Sequence, residues 1–121
     1  MVAFVVLLSA PAVSGADLLA GEGRTIDPIA ARPRFRSFLD YDPAPALAAL
    51  RVPVLAVAGD RDVQVPADRA APELTRLLAD DPDATVRVLP GLDHLLEPAD
   101  AAAMAPAALD LVIGWMEERF T

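Results

Sequence analysis

The chain has no cysteine and no lysine, and only one histidine and one tryptophan in 121 residues. Without cysteine there can be no disulfide, no thiolate metal site and no cysteine nucleophile. All ten basic residues are arginine, against eighteen acidic ones, for a net charge of −8. That balance excludes the basic face that nucleic acid requires, and it opposes docking on anionic membranes. Aromatics make up 5% of the chain, too few for a base-stacking platform. No run reaches the ~18 apolar residues needed to span a bilayer.

What remains is a chain that is 55% hydrophobic, enough for a core, and of a length that suits one domain. "MVAFVVLLSAPAVSGA" has two readings. It can be a signal peptide cut near Ala16, or a buried parallel strand over residues 2–8. The first basic residue is Arg24, so the basic n-region of a signal peptide is missing, which favours the strand and a cytoplasmic protein. An irregular crossover follows over residues 10–50, with a short helix near Ala16–Ala20 and another over Ala44–Leu50 capped by Asp42. Val52–Ala58 reads as a second buried strand ended by Gly59. Pro66–Ala79 reads as an amphipathic helix with Ala70, Leu74, Leu77 and Leu78 on one side. Ala84–Leu89 is a third strand, with Val86 and Val88 on one face and Arg87 on the other. A last helix, about residues 104–120, carries a stripe of Leu109, Val112, Ile113, Met116 and Phe120, with Glu117, Glu118 and Arg119 on its wet side. Strands alternating with helices predict an α/β domain with about three parallel strands and flanking helices.

In open parallel sheets, sites form at the carboxyl ends of the strands. Asp60 and Asp62 lie just past the second strand, Asp93 and His94 just past the third. If those strands are neighbours, about 4.8 Å apart, the two loops meet. A carboxylate there can accept the imidazole N–H, fix its tautomer and stabilise imidazolium. Other candidates are weaker. Asp60, Asp62, Asp93 and Glu97 could surround a cation, but no ligand-loop spacing is present. Glu97–Asp100, "EPAD", reads as a cap for the last helix, and Trp115 as packing. Gly21 and Gly23 lack the strand-turn-helix context of a phosphate loop. Arg32, Arg34 and Arg36 read as a solvated face.

"GDRDVQVP", residues 59–66, after "VPVLAVA" resembles the acid loop of α/β-hydrolases. "LPGLDH", ending at His94, resembles their histidine loop. The resemblance implies that Asp62 is the acid and His94 the base of a catalytic triad, in the order acid then histidine that this superfamily shows. It extends over most of the chain and is similar to the esterase and serine-aminopeptidase branches. It implies serine-type hydrolysis of a small-molecule carboxylic ester or related acyl substrate, with no metal or organic cofactor. The chain departs from the pattern at the nucleophile, since it contains no G-x-S-x-G. Its serines are Ser9, Ser14 and Ser37, and "LLSAP" around Ser9 lacks the glycines of a nucleophile elbow. It resembles the C-terminal portion of the fold. If the chain is a fragment of a longer product, a G-x-S-x-G is expected roughly 15–25 codons before Val2 in the same reading frame. Two alternatives stand beside this reading. One is a non-catalytic module that completes a sheet in another chain. The other is a small secreted domain with residues 1–16 removed. The apolar edge of the first strand is expected to favour self-association.

Overall fold

The structure, a computed structural model, describes residues 2–21 and 40–120. Gly23, Arg24, Arg32, Arg34, Arg36 and Ser37 lie outside those residues. The ordered elements are β1 (Val5–Leu8), α1 (Gly15–Gly21), α2 (Ala44–Ala48), β2 (Val54–Gly59), α3 (Ala67–Leu77), β3 (Ala84–Leu89) and α4 (Pro106–Phe120). The three strands form one parallel sheet in the order β1-β2-β3. This is the expected α/β architecture. Among the described residues no helix is long and apolar enough to cross a membrane.

β2 is the centre of the sheet, and all six of its residues are buried. Its alternating side chains serve two cores, as strand geometry requires. Leu55 and Val57 pack with Leu92, Leu96, Ala105, Ala108 and Trp115 on one face. On the other face Ala56 packs with Ala12, Leu47 and Leu74. Helices α2 and α3 therefore cover one side and α4 the other. In α3, Ala70 and Leu74 are buried, with Leu78 just beyond the helix. Pro72 sits inside α3 on its exposed side. It removes one intrahelical N–H donor there without disturbing the packed face.

β1 and β3 are edges, and this explains where burial falls short of expectation. Val2 is 60% exposed and Leu8 45%, and among the described residues β1 is paired on one side only. An apolar cavity of about 640 Å³, lined in part by Val5, Leu7, Tyr41, Leu47 and Leu50, opens beside it. On β3, Val86 packs inward while Val88 is 42% exposed.

α4 differs from its sequence reading in start and in face. It begins at Pro106, the first helical position, where a missing N–H is harmless. Ala108 and Trp115 are its buried residues, with Leu111, Val112 and Met116 packed beside them. Leu109, Ile113 and Phe120 are each about half exposed, at 47%, 51% and 48%. Apolar residues at 109, 111, 112 and 113 surround most of one turn, so periodicity alone cannot choose the inner face. The choice falls to Ala108, which has no exposed surface, and to the bulk of Trp115. The Trp115 ring lies 6.2 Å from Phe4 and 6.4 Å from Phe120, and the Arg119 guanidinium lies 4.5 Å from its centroid.

Arg119 is likewise not on the wet side. Its Nε and Nη2 donate to Asp83 Oδ2 and Oδ1 at 2.7 and 2.9 Å. This fork ties the end of α4 to the residue before β3. The guanidinium hydrogen bond holds the Asp83 carboxyl below its ordinary range, partly opposed by burial.

Trp115→Ala is expected to cost about 3–5 kcal/mol in urea unfolding, whereas Leu109→Ala should change stability by no more than about 0.5 kcal/mol. The opposite ranking would mean that the 109/113/120 stripe is the inner face.

Candidate active site

The carboxyl ends of β2 and β3 are aligned, with Gly59 opposite Leu89, so the loops that follow leave the sheet side by side. Backbone bonds then lace them together. The Asp60 N–H donates to the Leu89 carbonyl at 3.0 Å and the Arg61 N–H to the Leu92 carbonyl at 2.9 Å. The Gly91 N–H donates to Asp60 Oδ1 at 2.7 Å. Gly91 has φ +76°, which favours glycine on conformational grounds. Gly59 is needed for a different reason. A Cβ there would lie 2.2 Å from the Leu92 carbonyl oxygen and 2.8 Å from that of Asp93. The two loops touch backbone to backbone at this point.

Asp62 closes the turn that Gly59 opens, its N–H donating to the Gly59 carbonyl at 3.2 Å. Its side chain has no exposed surface. A buried carboxylate must be met by donors, and it is. Oδ1 accepts the N–H groups of Gln64 and Val65, each at 2.8 Å. Oδ2 lies 2.8 Å from Nδ1 of His94. The acid and histidine loops thus bring together the two residues singled out in the sequence. Against an acceptor-only carboxylate, Nδ1 is the protonated ring nitrogen, and the lone pair falls on Nε2. The His94 side chain is 31% exposed, and Nε2 has no hydrogen-bond partner among the described residues. The arrangement can therefore take up a proton at Nε2 while Asp62 stabilises the resulting imidazolium.

The segment after His94 is a brace that the sequence did not reveal. Asp93 Oδ1 accepts the N–H groups of Leu95 and Glu97 at 2.9 and 3.0 Å. The Asp93 N–H donates to the Glu97 carbonyl, and Leu92 pairs antiparallel with Pro98. "EPAD" is thus folded back on the histidine loop and does not cap α4. Asp60 and Asp93 each accept backbone N–H groups of these loops. Among the described residues no group of three or more acidic or histidine side chains converges on a cation position.

The described serines make no hydrogen bond to the imidazole ring. Ser9 Oγ donates to the backbone carbonyl of His94 at 2.6 Å. Ser14 Oγ accepts the Asp17 N–H at 3.2 Å, at the start of α1. Ser9 and Leu96 are contributors that sequence reasoning missed, and Gly59 reads in the sequence as a strand end and loop start without its packing role. For Gly59 a signal existed, since a glycine ends a fully apolar strand just where a second loop must arrive.

Three solved structures that this chain resembles are described as hydrolases. The chain superposes on E-2-(acetamidomethylene)succinate hydrolase with a TM-score of 0.51 and 28% identity, over 65% of this chain and 26% of that one. It superposes on MGS-MChE2, an α/β hydrolase from the metagenome of Mar Chica lagoon sediments in Morocco. There the TM-score is 0.55 and the identity 20%, over 87% of this chain and 43% of the other. The chain has the fold of this α/β hydrolase. A Klebsiella pneumoniae protein assigned as a dienelactone hydrolase gives a TM-score of 0.51 at 20% identity, over 67% of this chain and 35% of that one. The chain spans less than half the length of each of these structures. No protein-family model matches it, and no curated protein does.

Gly59→Ala is expected to destabilise this domain by about 1–3 kcal/mol through overpacking against the 92–93 backbone. Gly91→Ala meets open space and should cost about 1–2 kcal/mol, from its left-handed φ alone. Thermal unfolding of both variants, with the His94 imidazole signal followed in parallel, checks this. Only Gly59→Ala should disturb the imidazole.

Proposed function

We propose that the chain supplies the acid and the base of a serine-type acyl hydrolase acting on small-molecule carboxylic esters or related acyl substrates. The observation that supports this reading best is the 2.8 Å bond between Nδ1 of His94 and the fully buried carboxylate of Asp62. Asp62 orients the ring. Nε2 of His94 then takes the proton of a serine hydroxyl as that oxygen attacks the acyl carbon, and returns it to the leaving group. The nucleophile in this reading belongs to a G-x-S-x-G segment outside these 121 residues, and the chemistry calls for no cofactor.

The test measures hydrolysis of p-nitrophenyl esters of graded acyl length. It uses the chain itself and any longer product of the same reading frame that carries the expected G-x-S-x-G. In the longer protein, His94→Ala and Asp62→Asn are each expected to lower kcat by about 10³-fold or more. Turnover that is unchanged in His94→Ala would remove the base from the mechanism and end this reading.

The sheet-completing module is favoured by one observation, the outer side of β1, which pairs with no strand among the described residues. Strand edges of this kind are ready templates for pairing. Sedimentation velocity over a hundredfold dilution separates the readings. A non-catalytic module that adds its edge to another copy should associate as concentration rises and show no ester hydrolysis. A monomer at every concentration would remove self-association.

A further inference from the structure

Ser9 stands directly after β1, at the carboxyl end of the sheet. It is 6% exposed and has φ +57°, a left-handed conformation that non-glycine residues hold only when their surroundings enforce it. Two bonds enforce it here. The Ser9 N–H donates to the Val57 carbonyl at 2.8 Å. The Ser9 hydroxyl donates to the His94 carbonyl at 2.6 Å, a contact 85 positions away in sequence. One residue thereby links β1 to β2 and to the histidine loop. A second residue in the left-handed region, Leu96 with φ +59°, anchors the same loop from the other end. It is 1% exposed. Its N–H donates to the Asp93 carbonyl, and its carbonyl accepts the Ala105 N–H.

We propose that Ser9 is a positioning residue for His94. Its hydroxyl fixes the main chain of His94, and that placement lets Nδ1 meet Asp62. The imidazole is then held at both ends, through the ring by Asp62 and through the backbone by Ser9. The hydroxyl points its proton at a carbonyl oxygen and not at the ring, so its role is to hold geometry and not to transfer a proton. The inference rests on His94 being the base of the proposed hydrolase. Its test needs no turnover, so either statement can fail while the other stands.

The chain has a single histidine and a single tryptophan, and each gives one side-chain signal in a ¹⁵N NMR spectrum. The Nδ1 proton of His94 reports the bond to Asp62. The indole N–H of Trp115 reports whether the core that holds Leu92 and Leu96 is folded. In Ser9→Ala and in Ser9→Gly, the Nδ1 proton is expected to exchange with water at least tenfold faster than in the unaltered chain, while the Trp115 signal stays in place. Glycine tolerates the left-handed φ, so a Nδ1 signal lost in Ser9→Ala but preserved in Ser9→Gly would assign the effect to backbone conformation and overturn the hydroxyl's role. Unchanged exchange in both variants would also overturn it. If both variants lose the Trp115 signal, the unaltered chain decides. Its Ser9 hydroxyl proton should exchange slowly and show a nuclear Overhauser contact to His94 or Leu95. Exchange as fast as that of the Ser14 hydroxyl would overturn the proposal.

Discussion

The carboxylate of Asp62 carries a charge with no exposed surface, and the local structure is arranged around satisfying it. Desolvating a carboxylate is expensive unless donors replace water. The donors here are two backbone N–H groups of its own loop and the ring of His94. The first two force the chain after Asp62 into a tight turn and set the direction in which α3 departs. The third reaches across from a different strand. A local electrostatic requirement thus becomes a long-range link between residues 62 and 94.

That link is possible because the sheet is parallel and in register at its carboxyl end. Gly59 opposite Leu89 puts two loop starts one strand spacing apart. The absence of a side chain at Gly59 lets them close the remaining gap. The central strand has the most apolar sequence because both its faces and both its edges are covered, whereas β1 and β3 expose residues of the same type. Burial in this fold follows position in the sheet more closely than residue chemistry.

The elements whose signal is short-range and strong were legible in the sequence. β2 announces itself as an uninterrupted apolar run ended by glycine. α3 has a clean apolar side, and β3 matches its expected bounds. The acid and histidine loops were readable because each places a distinctive residue type just past a strand. The inner face of α4 was not readable, since its apolar residues occupy too wide an arc and a small alanine makes the closest approach. Arg119 looked solvent-facing because its partner, Asp83, lies 36 positions away. The brace from Asp93 to Pro98 and the clamp from Ser9 depend on backbone carbonyls and N–H groups, which leave no trace in residue identity.

The lacing between the two loops has a bearing on how such a site can diversify. The contacts that place Asp62 against His94 run through β1, β2, β3 and the turns at their ends. The apolar cavity beside Val5 and Leu7 is lined by neither Asp62 nor His94. Whatever surface comes to lie over β1, or roofs the imidazole, can therefore change its shape and polarity while the distance from carboxylate to imidazole stays constant. The spacing of carboxylate and imidazole and the shape of that cavity are set by different side chains and can drift independently.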